Sequence, residues 1–272
     1  MSVFICPICS EKLELNGNTY SCCNNHCFDK AKSGYVNLLQ SKHIGKAVHG
    51  DNKLMVQARR NFLDKGYYLP LCDKLCETAA KYFSGKTLLD AGCGEGYYTS
   101  AIIDKFRQLK IDADIAGIDI SKAAVEYSAK RCKDAEFAVA SVFHIPAAES
   151  SCDMLVTLFA PYCGEEYSRV LKKGGIMIMA IPSAEHLWEL KQAIYDTPYK
   201  NEVKPYELEG FEFLGSQRIT YTIDLASQED INALFSMTPY YYRTGREQQE
   251  RLLKLDSLST KADFELLVYR NI

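Results

Sequence analysis

The sequence predicts an α/β protein in which a small metal-binding module precedes a parallel, doubly wound sheet. Between residues 84 and 272, strand-like and helix-like segments alternate, and this alternation produces parallel strands joined by helices. In front of them, side chains that can bind a metal crowd the start of the chain. These side chains are Cys6, Cys9, Cys22, Cys23, His26 and Cys27.

The composition is that of a globular protein. Of the 272 residues, 47% are hydrophobic and 25% are charged. The chain contains no run of about 18 or more apolar residues, which is the length that could cross a membrane. We therefore expect no membrane partner. The opening "MSVFICPICS" lacks the basic and apolar regions of a secretory signal. Eleven cysteines without such a signal indicate a reducing, cytoplasmic setting, where clustered cysteines more often bind metal than form disulfides.

Charge is distributed unevenly along the chain. Residues 1–70 carry nine Lys and Arg against five Asp and Glu, whereas residues 71–272 carry 23 against 30. A basic front on an acidic body suggests that the front contacts something anionic.

The cysteine-rich segment predicts a structural zinc site. Cys6 and Cys9 have the spacing of a zinc knuckle, and zinc in a structural role takes four nitrogen or sulfur ligands in a tetrahedron. The other two ligands must come from "YSCCNNHCFD", and spacing leaves three pairs open. These pairs are Cys22 with His26, Cys23 with His26, and Cys23 with Cys27. Because little apolar sequence precedes Phe28, we expect the metal to supply the folding free energy of this module.

A polar connector and two helices follow the module. In "KLMVQARRNFLDKGYY" the spacing of Leu54, Ala58 and Phe62 predicts that these three side chains form a buried helix face. In "LPLCDKLCETAAKYF" a second helix has Pro70 in its first turn, where proline is tolerated. Its expected buried side chains are Leu71, Leu75, Ala79 and Phe83.

The segment "KTLLDAGCGEGYYTSAIIDKF" reads as a strand, a glycine turn and a helix. Gly92, Gly94 and Gly96 follow Asp90, and glycine lets a backbone turn sharply and approach a ligand closely. The pattern is one residue shorter than a dinucleotide-binding fingerprint. The next strand, "ADIAGIDIS", ends at Asp119, where a carboxylate can accept hydrogen bonds from ribose hydroxyls.

Further strands complete the expected sheet. "AEFAVAS" ends near Ser141, which we expect to bind the same ligand as Asp119. The next two strands are "SCDMLVTLFAP" and "GGIMIMAIP", with the helix "EEYSRVL" between them and "AEHLWELKQAIY" after them. "ITYTIDL" and "FELLVYR" are expected to form a closing pair, and Ser227 is expected to cap the helix "SQEDINALF".

The glycine turn together with Asp119 resembles the class I S-adenosylmethionine-dependent methyltransferases, which share a Rossmann-like seven-stranded fold. The resemblance becomes more specific over roughly residues 1–270. "GYVNLL", "MVQARRNFLDKGYY", "LDAGCGEGYYT", "PSAEHLWELK" and "MTPYYYR" are similar to segments of the bacterial 23S ribosomal RNA guanine-N1-methyltransferases. We therefore expect a zinc-binding RNA-recognition module at 1–35, a basic connector with helices at 36–83, and a methyltransferase domain at 84–272.

The resemblance implies a substrate and two sets of ligands. The substrate would be N1 of a guanine in a domain II hairpin of 23S ribosomal RNA, and two chains would pair as a homodimer. One structural zinc would be bound by Cys6, Cys9, Cys22 and His26. The implied S-adenosylmethionine-binding residues are Tyr68, Gly94, Glu95 and His186, in addition to Asp90, Gly92, Gly96, Asp119 and Ser141 from the strand and turn pattern.

The sequence does not identify a catalytic residue. N1 of neutral guanine carries a proton, which a carboxylate, a histidine or a carbonyl oxygen could accept. The segment "LFAP" at 158–161 is expected to face the target base, and its apolar character suits a stacked purine. "PYYYR" at 239–243 offers rings either for stacking or for ordinary packing. Phosphate contacts are expected from Lys30, Lys32, Lys42, Lys46, Arg59 and Arg60.

Two other functions compete with this interpretation. A small-molecule methyltransferase braced by zinc would bind no RNA. A non-catalytic RNA-binding protein would bind no S-adenosylmethionine, which the intact glycine turn and Asp119 argue against.

Overall fold

Three short strands near the N-terminus form a small antiparallel sheet. The computed structural model describes residues 2–40, 51–203 and 205–272. Strands β1 (Glu14–Asn16), β2 (Thr19–Ser21) and β3 (Cys27–Asp29) pair in that order. Gly17 makes the turn between β1 and β2 with φ +63°, a left-handed conformation that suits glycine.

A mixed sheet of eight strands forms the body. Its strands are β4 (Val36–Asn37), β5 (Thr87–Ala91), β6 (Asp114–Asp119), β7 (Glu136–Val139), β8 (Cys152–Leu158), β9 (Leu171–Pro182), β10 (Phe211–Leu225) and β11 (Leu258–Asn271). The order across the sheet is β10-β11-β9-β8-β5-β6-β7-β4. The six strands from β9 to β4 are parallel, and β11 runs antiparallel to both of its neighbours.

Nine helices of the described chain connect these strands. They are α1 (Lys53–Asp64), α2 (Leu69–Tyr82), α3 (Tyr97–Leu109), α4 (Lys122–Arg131), α5 (Gly164–Val170), α6 (Trp188–Ile194), α7 (Gln228–Ser236), α8 (Tyr240–Arg243) and α9 (Arg246–Leu252). Ser227 caps α7 as expected, because its side chain accepts the backbone N–H of Asp230. The predicted methyltransferase-type α/β fold is confirmed, and β4 adds an eighth strand that the sequence pattern did not predict.

The two faces of the sheet are covered differently. Most helices pack on one face, where side chains such as Phe62, Leu75 and Ile102 join a single buried cluster. The N-terminal module and α5 cover the other face. There Phe4 and Tyr20 of the module share a second cluster with small residues of the central strands, Ala91, Ala116, Ala138 and Ala140. The module and the sheet therefore have a common hydrophobic core.

One residue of a predicted helix face is wrong, whereas Phe62 is buried and Ala58 packs against the core as expected. Leu54 was expected to be buried in α1 but is 82% exposed. The buried stripe begins one residue later, at Met55 and Val56, and continues to Phe62 and Leu63. Helix α1 begins at Lys53, so Leu54 lies in its open first turn and points away from the core.

Within the described ranges, no helix has the length and apolar character needed to cross a membrane.

Candidate functional site

Four side chains of the N-terminal module converge on one point. The ligand atoms of Cys6, Cys9, Cys22 and His26 all lie within 4.8 Å of one another. His26 Nδ1 is 3.5 Å from Cys6 Sγ and 3.4 Å from Cys22 Sγ, and the Sγ atoms of Cys9 and Cys22 are 3.6 Å apart. A tetrahedral zinc ion with bonds of about 2.0–2.3 Å places its ligand atoms about 3.5–3.8 Å apart. These distances fit one zinc ion.

Two backbone turns create this arrangement. In the first, Ser10 N donates to Cys6 O at 2.8 Å, and in the second Asn25 N donates to Cys22 O at 3.0 Å. Ser10 and Asn25 each have φ +61°, which closes each turn tightly. Of the three pairs that spacing left open, the structure brings Cys22 and His26 to the site.

The two remaining cysteines of the segment lie elsewhere. Cys23 and Cys27 are both exposed, and Cys27 Sγ lies 3.7 Å from the carbonyl oxygen of Asn25. Neither belongs to the convergent group.

The three glycines of the turn after β5 have different surroundings. A Cβ on Gly92 would lie 2.5 Å from Ala160 Cβ, and one on Gly96 would lie 2.9 Å from Ser128 Cα. These two glycines are required for packing. Gly94 has φ +56°, and no atom of the described residues lies within 4 Å of the position its Cβ would take. Gly94 therefore borders open space in which a ligand can approach the backbone.

Asp119 ends β6 beside this turn. Its Oδ2 accepts from Gly94 N at 3.0 Å, and its Oδ1 accepts from Ser121 N at 2.8 Å. Burial raises the pKa of Asp119, although the two backbone N–H donors oppose that rise. Each oxygen keeps a lone pair, so the carboxylate can still accept hydrogen bonds from a ligand.

Asp90 lies deeper, at the end of β5. It is 1% exposed, and its Oδ2 accepts from Thr99 Oγ1 at 2.6 Å. Burial raises the pKa of Asp90 to about 7. The hydrogen bond with Thr99 ties the start of α3 to β5, which positions the glycine turn between them.

Glu95 is a buried carboxylate with an incomplete set of partners. It is 2% exposed, and Arg131 Nη2 lies 2.7 Å from Oε2 as an ion pair that does not satisfy hydrogen-bond geometry. Oε1 has no hydrogen-bond partner among the described residues. Burial raises the pKa of Glu95 despite the charge of Arg131. A ligand with N–H or O–H donors would satisfy the free oxygen.

Tyr68 and His186 meet in an aromatic wall. Tyr68 Oη lies 3.5 Å from His186 Nε2, and both rings pack against Phe264 with centroid distances of 5.0 and 4.5 Å. Burial lowers the pKa of His186 to about 3, so the ring is neutral at pH 7. Its Nδ1 accepts from Asp263 N at 3.3 Å, which leaves the proton on Nε2. His186 Nε2 therefore carries an N–H that faces Tyr68 Oη.

Two side chains at the site were not named individually from the sequence, although Phe159 belongs to the segment "LFAP" that was expected to face the target base. Tyr98 follows the glycine turn, and its buried Oη has no hydrogen-bond partner within the described chain. Phe159 follows β8 with φ +58° and is 48% exposed. The tyrosine pair in "GEGYYT" was the available signal for Tyr98, whereas nothing in "LFAP" announces the backbone conformation of Phe159.

Ser141 lines a cavity whose walls do not include Gly94. This side chain shares the cavity, of about 310 Å³ between the N-terminal module and the sheet, with Cys6, Leu38 and His144. Its Oγ accepts from Phe143 N at 3.2 Å. The assignment of Ser141 to cofactor binding stays a prediction.

The predicted phosphate contacts are dispersed. Lys32 is exposed and Lys30 is half-buried, while Lys42 and Lys46 lie outside the described residues. Arg59 forms an ion pair with Asp51, and Arg60 pairs with Asp64 at 3.4 Å. The main chain of Asp51 in turn accepts from Ser121 Oγ at 2.7 Å, so Arg59 belongs to the surroundings of Asp119.

The first two tyrosines of "PYYYR" pack within the protein. Tyr240 is buried against Tyr195, at a ring-centroid distance of 6.4 Å. Tyr241 is 39% exposed and packs edge-on against Phe235, at a ring-centroid distance of 5.7 Å.

The arrangement fits S-adenosylmethionine. The open space at Gly94 and the free lone pairs of Asp119 adjoin each other at the carboxyl edge of the parallel strands. Glu95 and Tyr98, each with a buried oxygen that lacks a hydrogen-bond partner among the described residues, follow directly in the glycine turn and at the start of α3. Ligands of such sheets bind at this edge. The fit rests on polar atoms that lack partners and on a glycine that leaves room.

Comparisons with known proteins match both parts of the chain. A family model described as "RlmA, N-terminal" matches residues 4–44, and one described as "Methyltransferase domain" matches residues 83–234. The Bacillus subtilis (strain 168) protein YxjB, whose name places it among the 23S rRNA (guanine-N1)-methyltransferases, is 30% identical over 98% of this chain and 96% of its own. The 23S rRNA (guanine(748)-N1)-methyltransferase of Streptomyces fradiae is 31% identical over 81% of this chain and 79% of its own.

A solved structure supports the fold. The YcgJ protein of Bacillus subtilis superposes with a TM-score of 0.50 at 13% identity, covering 74% of this chain and 97% of YcgJ.

Proposed function

The chain belongs to the 23S rRNA (guanine-N1)-methyltransferase family, and we infer from this that it methylates N1 of a guanine in a domain II hairpin of 23S ribosomal RNA. The observation that carries the proposal is the combination of a zinc-ligand cluster and a methyltransferase site in one chain. Its enzyme class is that of the S-adenosylmethionine-dependent methyltransferases, and its N-terminal module is a zinc ribbon suited to one zinc ion.

We assign the cofactor contacts from the geometry of the edge. Asp119 would accept hydrogen bonds from the ribose hydroxyls, and Gly94 would let the backbone come close. Glu95 and Tyr98 have oxygens without partners, which suit donors of the amino acid part of the ligand. Bound there, S-adenosylmethionine supplies an electrophilic methyl group on a positively charged sulfur. Asp90 and Gly96 support the turn from behind.

Tyr68 and His186 would close the site on the aromatic side. Their rings are 3% and 8% exposed, so they exclude water from the space beside them. Because His186 Nδ1 is occupied by a backbone donor, His186 can donate through Nε2 but has no free lone pair to take the N1 proton. That proton must leave to another acceptor, such as a carboxylate or a main-chain carbonyl oxygen.

The partner proposal rests on charge and on the family. We propose that the zinc ribbon and its connector, with their excess of Lys and Arg, contact the phosphates of the hairpin. We also propose that two chains pair, so that each RNA hairpin lies in a cleft with walls from both. Sedimentation velocity at micromolar concentration tests the pairing directly.

Mapping the modified nucleotide tests the proposed reaction. Purified enzyme, S-adenosylmethionine and unmodified 23S RNA should give a new primer-extension stop at one domain II guanine, because N1 methylation blocks base pairing. Mass spectrometry of that fragment should show one added methyl group. A methylated small molecule with no change in the RNA would favour the small-molecule alternative instead.

A further inference from the structure

We propose that Phe159 is the stacking platform for the target guanine. The inference rests on the proposed function, since it assigns a residue to the RNA substrate of the same site. Phe159 opens the turn that follows β8, at the carboxyl edge of the sheet.

The backbone holds Phe159 in an unusual conformation. Its φ is +58°, a region that bulky residues rarely adopt and that clusters at functional sites. Leu187, next to His186, is the other large apolar residue of the described chain with positive φ, at +56°. Both left-handed residues therefore flank the Tyr68–His186 wall.

Two further contacts fix the position of the turn that contains Phe159. Phe159 N donates to Ala180 O at 3.4 Å, and Ala160 occupies the space that a side chain on Gly92 would need. The glycine turn and the Phe159 turn are thus packed together, which sets the position of the Phe159 ring relative to the cofactor edge.

The ring itself is packed on one side and open on the other. Its centroid lies 5.6 Å from that of Phe264 and 6.5 Å from that of Tyr68, yet the side chain remains 48% exposed. An aromatic ring supported from behind and open in front is suited to stack on a flat base.

The side chains of the Phe159 turn can stack on a base but cannot form hydrogen bonds with its edge. "LFAP" contains no side chain that can donate to or accept from a base edge. A guanine drawn out of a hairpin loop loses its stacked neighbours, and an aromatic ring replaces part of that stacking. The occupant that fits is therefore an unstacked purine beside the methyl donor.

Three variants test the proposal. Phe159→Gly removes the ring and suits the left-handed backbone, so it should fold; Phe159→Ala removes only the ring; Phe159→Trp keeps an aromatic face. Phe213→Ala is the matched control, since Phe213 is 40% exposed on β10, where it packs against Tyr206 and Tyr269.

The readouts separate an RNA-binding role from a cofactor-binding role. We expect Phe159→Gly and Phe159→Ala to lower kcat/KM on the hairpin roughly 5- to 150-fold, the range for removing one base–aromatic stack. Affinity for S-adenosylmethionine by calorimetry should stay within about twofold, and Phe159→Trp and Phe213→Ala should retain activity. A hairpin with 2-aminopurine at the target position should fluoresce more strongly when bound to Phe159→Gly than to the wild type.

Two results would overturn the assignment. Wild-type kcat/KM in folded Phe159→Gly would remove Phe159 from the substrate site, and a parallel decrease in cofactor affinity would make it a wall of the cofactor site. If the wild type itself leaves 23S RNA unmodified, the proposed function fails, which is a distinct outcome.

Discussion

At the scale of single residues, Asp119 has two tasks that share the same oxygens. Its carboxylate holds the backbone N–H groups of Gly94 and Ser121, and it is the proposed acceptor for the ribose of the cofactor. The same charge therefore shapes the turn and is proposed to bind the ligand.

Replacement of Asp119 tests this double role. We expect Asp119→Ala to weaken S-adenosylmethionine binding by about 1–3 kcal/mol, because a ligand hydroxyl loses a charged acceptor. Isothermal calorimetry measures the affinity. Asp114→Ala, at the exposed start of the same strand, is the control and should bind normally. Unchanged affinity in Asp119→Ala would remove that residue from the cofactor site.

Adjacent cysteines give an equally direct test of the metal ligands. Cys22→Ser should lose zinc, because only three ligands remain at the cluster, while Cys23→Ser should keep one zinc per chain. Metal analysis after gel filtration gives the stoichiometry. The opposite pattern would move the ligand from Cys22 to its neighbour.

At the scale of elements, the glycine turn combines positions with separate duties. Gly96 lies against the backbone of α4, and Gly92 lies against the Phe159 turn, whereas Gly94 borders open space. One short sequence thus contains residues needed for folding and a residue left free for the ligand.

Alanine substitutions should separate these duties. Gly96→Ala meets Ser128 Cα at 2.9 Å and also strains φ +83°, so it should lower the free energy of unfolding by more than Gly94→Ala. Gly94→Ala should cost only about 1–2 kcal/mol of stability, the strain of a left-handed alanine. It should nevertheless reduce cofactor affinity more than stability, because its methyl group enters the ligand space. Urea unfolding and calorimetry compare the two; equal reductions in cofactor affinity and stability in Gly94→Ala would contradict this division.

Elements with regular spacing could be predicted from sequence, and exceptions could not. The strand ending at Asp119 and the cap at Ser227 follow from local patterns. The two-residue strand β4 has too few residues to show a period and exists because β7 offers an unpaired edge. Leu54 shows that spacing alone does not fix which side of a helix faces the core.

In the candidate site, too, some features could be predicted from the sequence and others could not. Cys22 and Cys23 are chemically identical neighbours, so only the fold decides which thiol points inward. Phe159 has a left-handed φ, and its neighbour Ala160 packs against Gly92, which lies 68 positions earlier in the sequence. Such tertiary constraints have no local signature.

At the scale of the whole molecule, the zinc ribbon and the sheet are joined too closely to be tested by deletion. Phe4 and Ala147 form a β-bridge, and the ribbon shares a buried cluster with the central strands. Removing residues 1–30 would expose that cluster to water and destabilise the methyltransferase domain. Charge substitutions at the surface separate RNA binding from folding more cleanly.

Salt dependence provides that separation. Replacing Lys30, Lys32 and Lys42 with alanine should flatten the log–log dependence of RNA affinity on salt by roughly 0.7–0.9 for each phosphate that is no longer neutralised. Cofactor affinity should not change. A matched triple change of the exposed Lys81, Lys110 and Lys173, which lie outside the N-terminal module, should leave the slope as it was. If the wild type and both triple variants have equal slopes, Lys30, Lys32 and Lys42 do not contact RNA phosphates.

The place of β4 at the outer edge of the sheet has a consequence for synthesis on the ribosome. The zinc ligands span residues 6–26 and the ribbon strands pair locally, so this unit can close on its metal soon after emerging. Strand β4 pairs with β7, whose residues are made about a hundred positions later. Chains fold from the N-terminus as they are synthesised. The ribbon can therefore fold around its metal before the sheet that covers it has been synthesised. Zinc that is available during translation can therefore close the ribbon before β7 has been made.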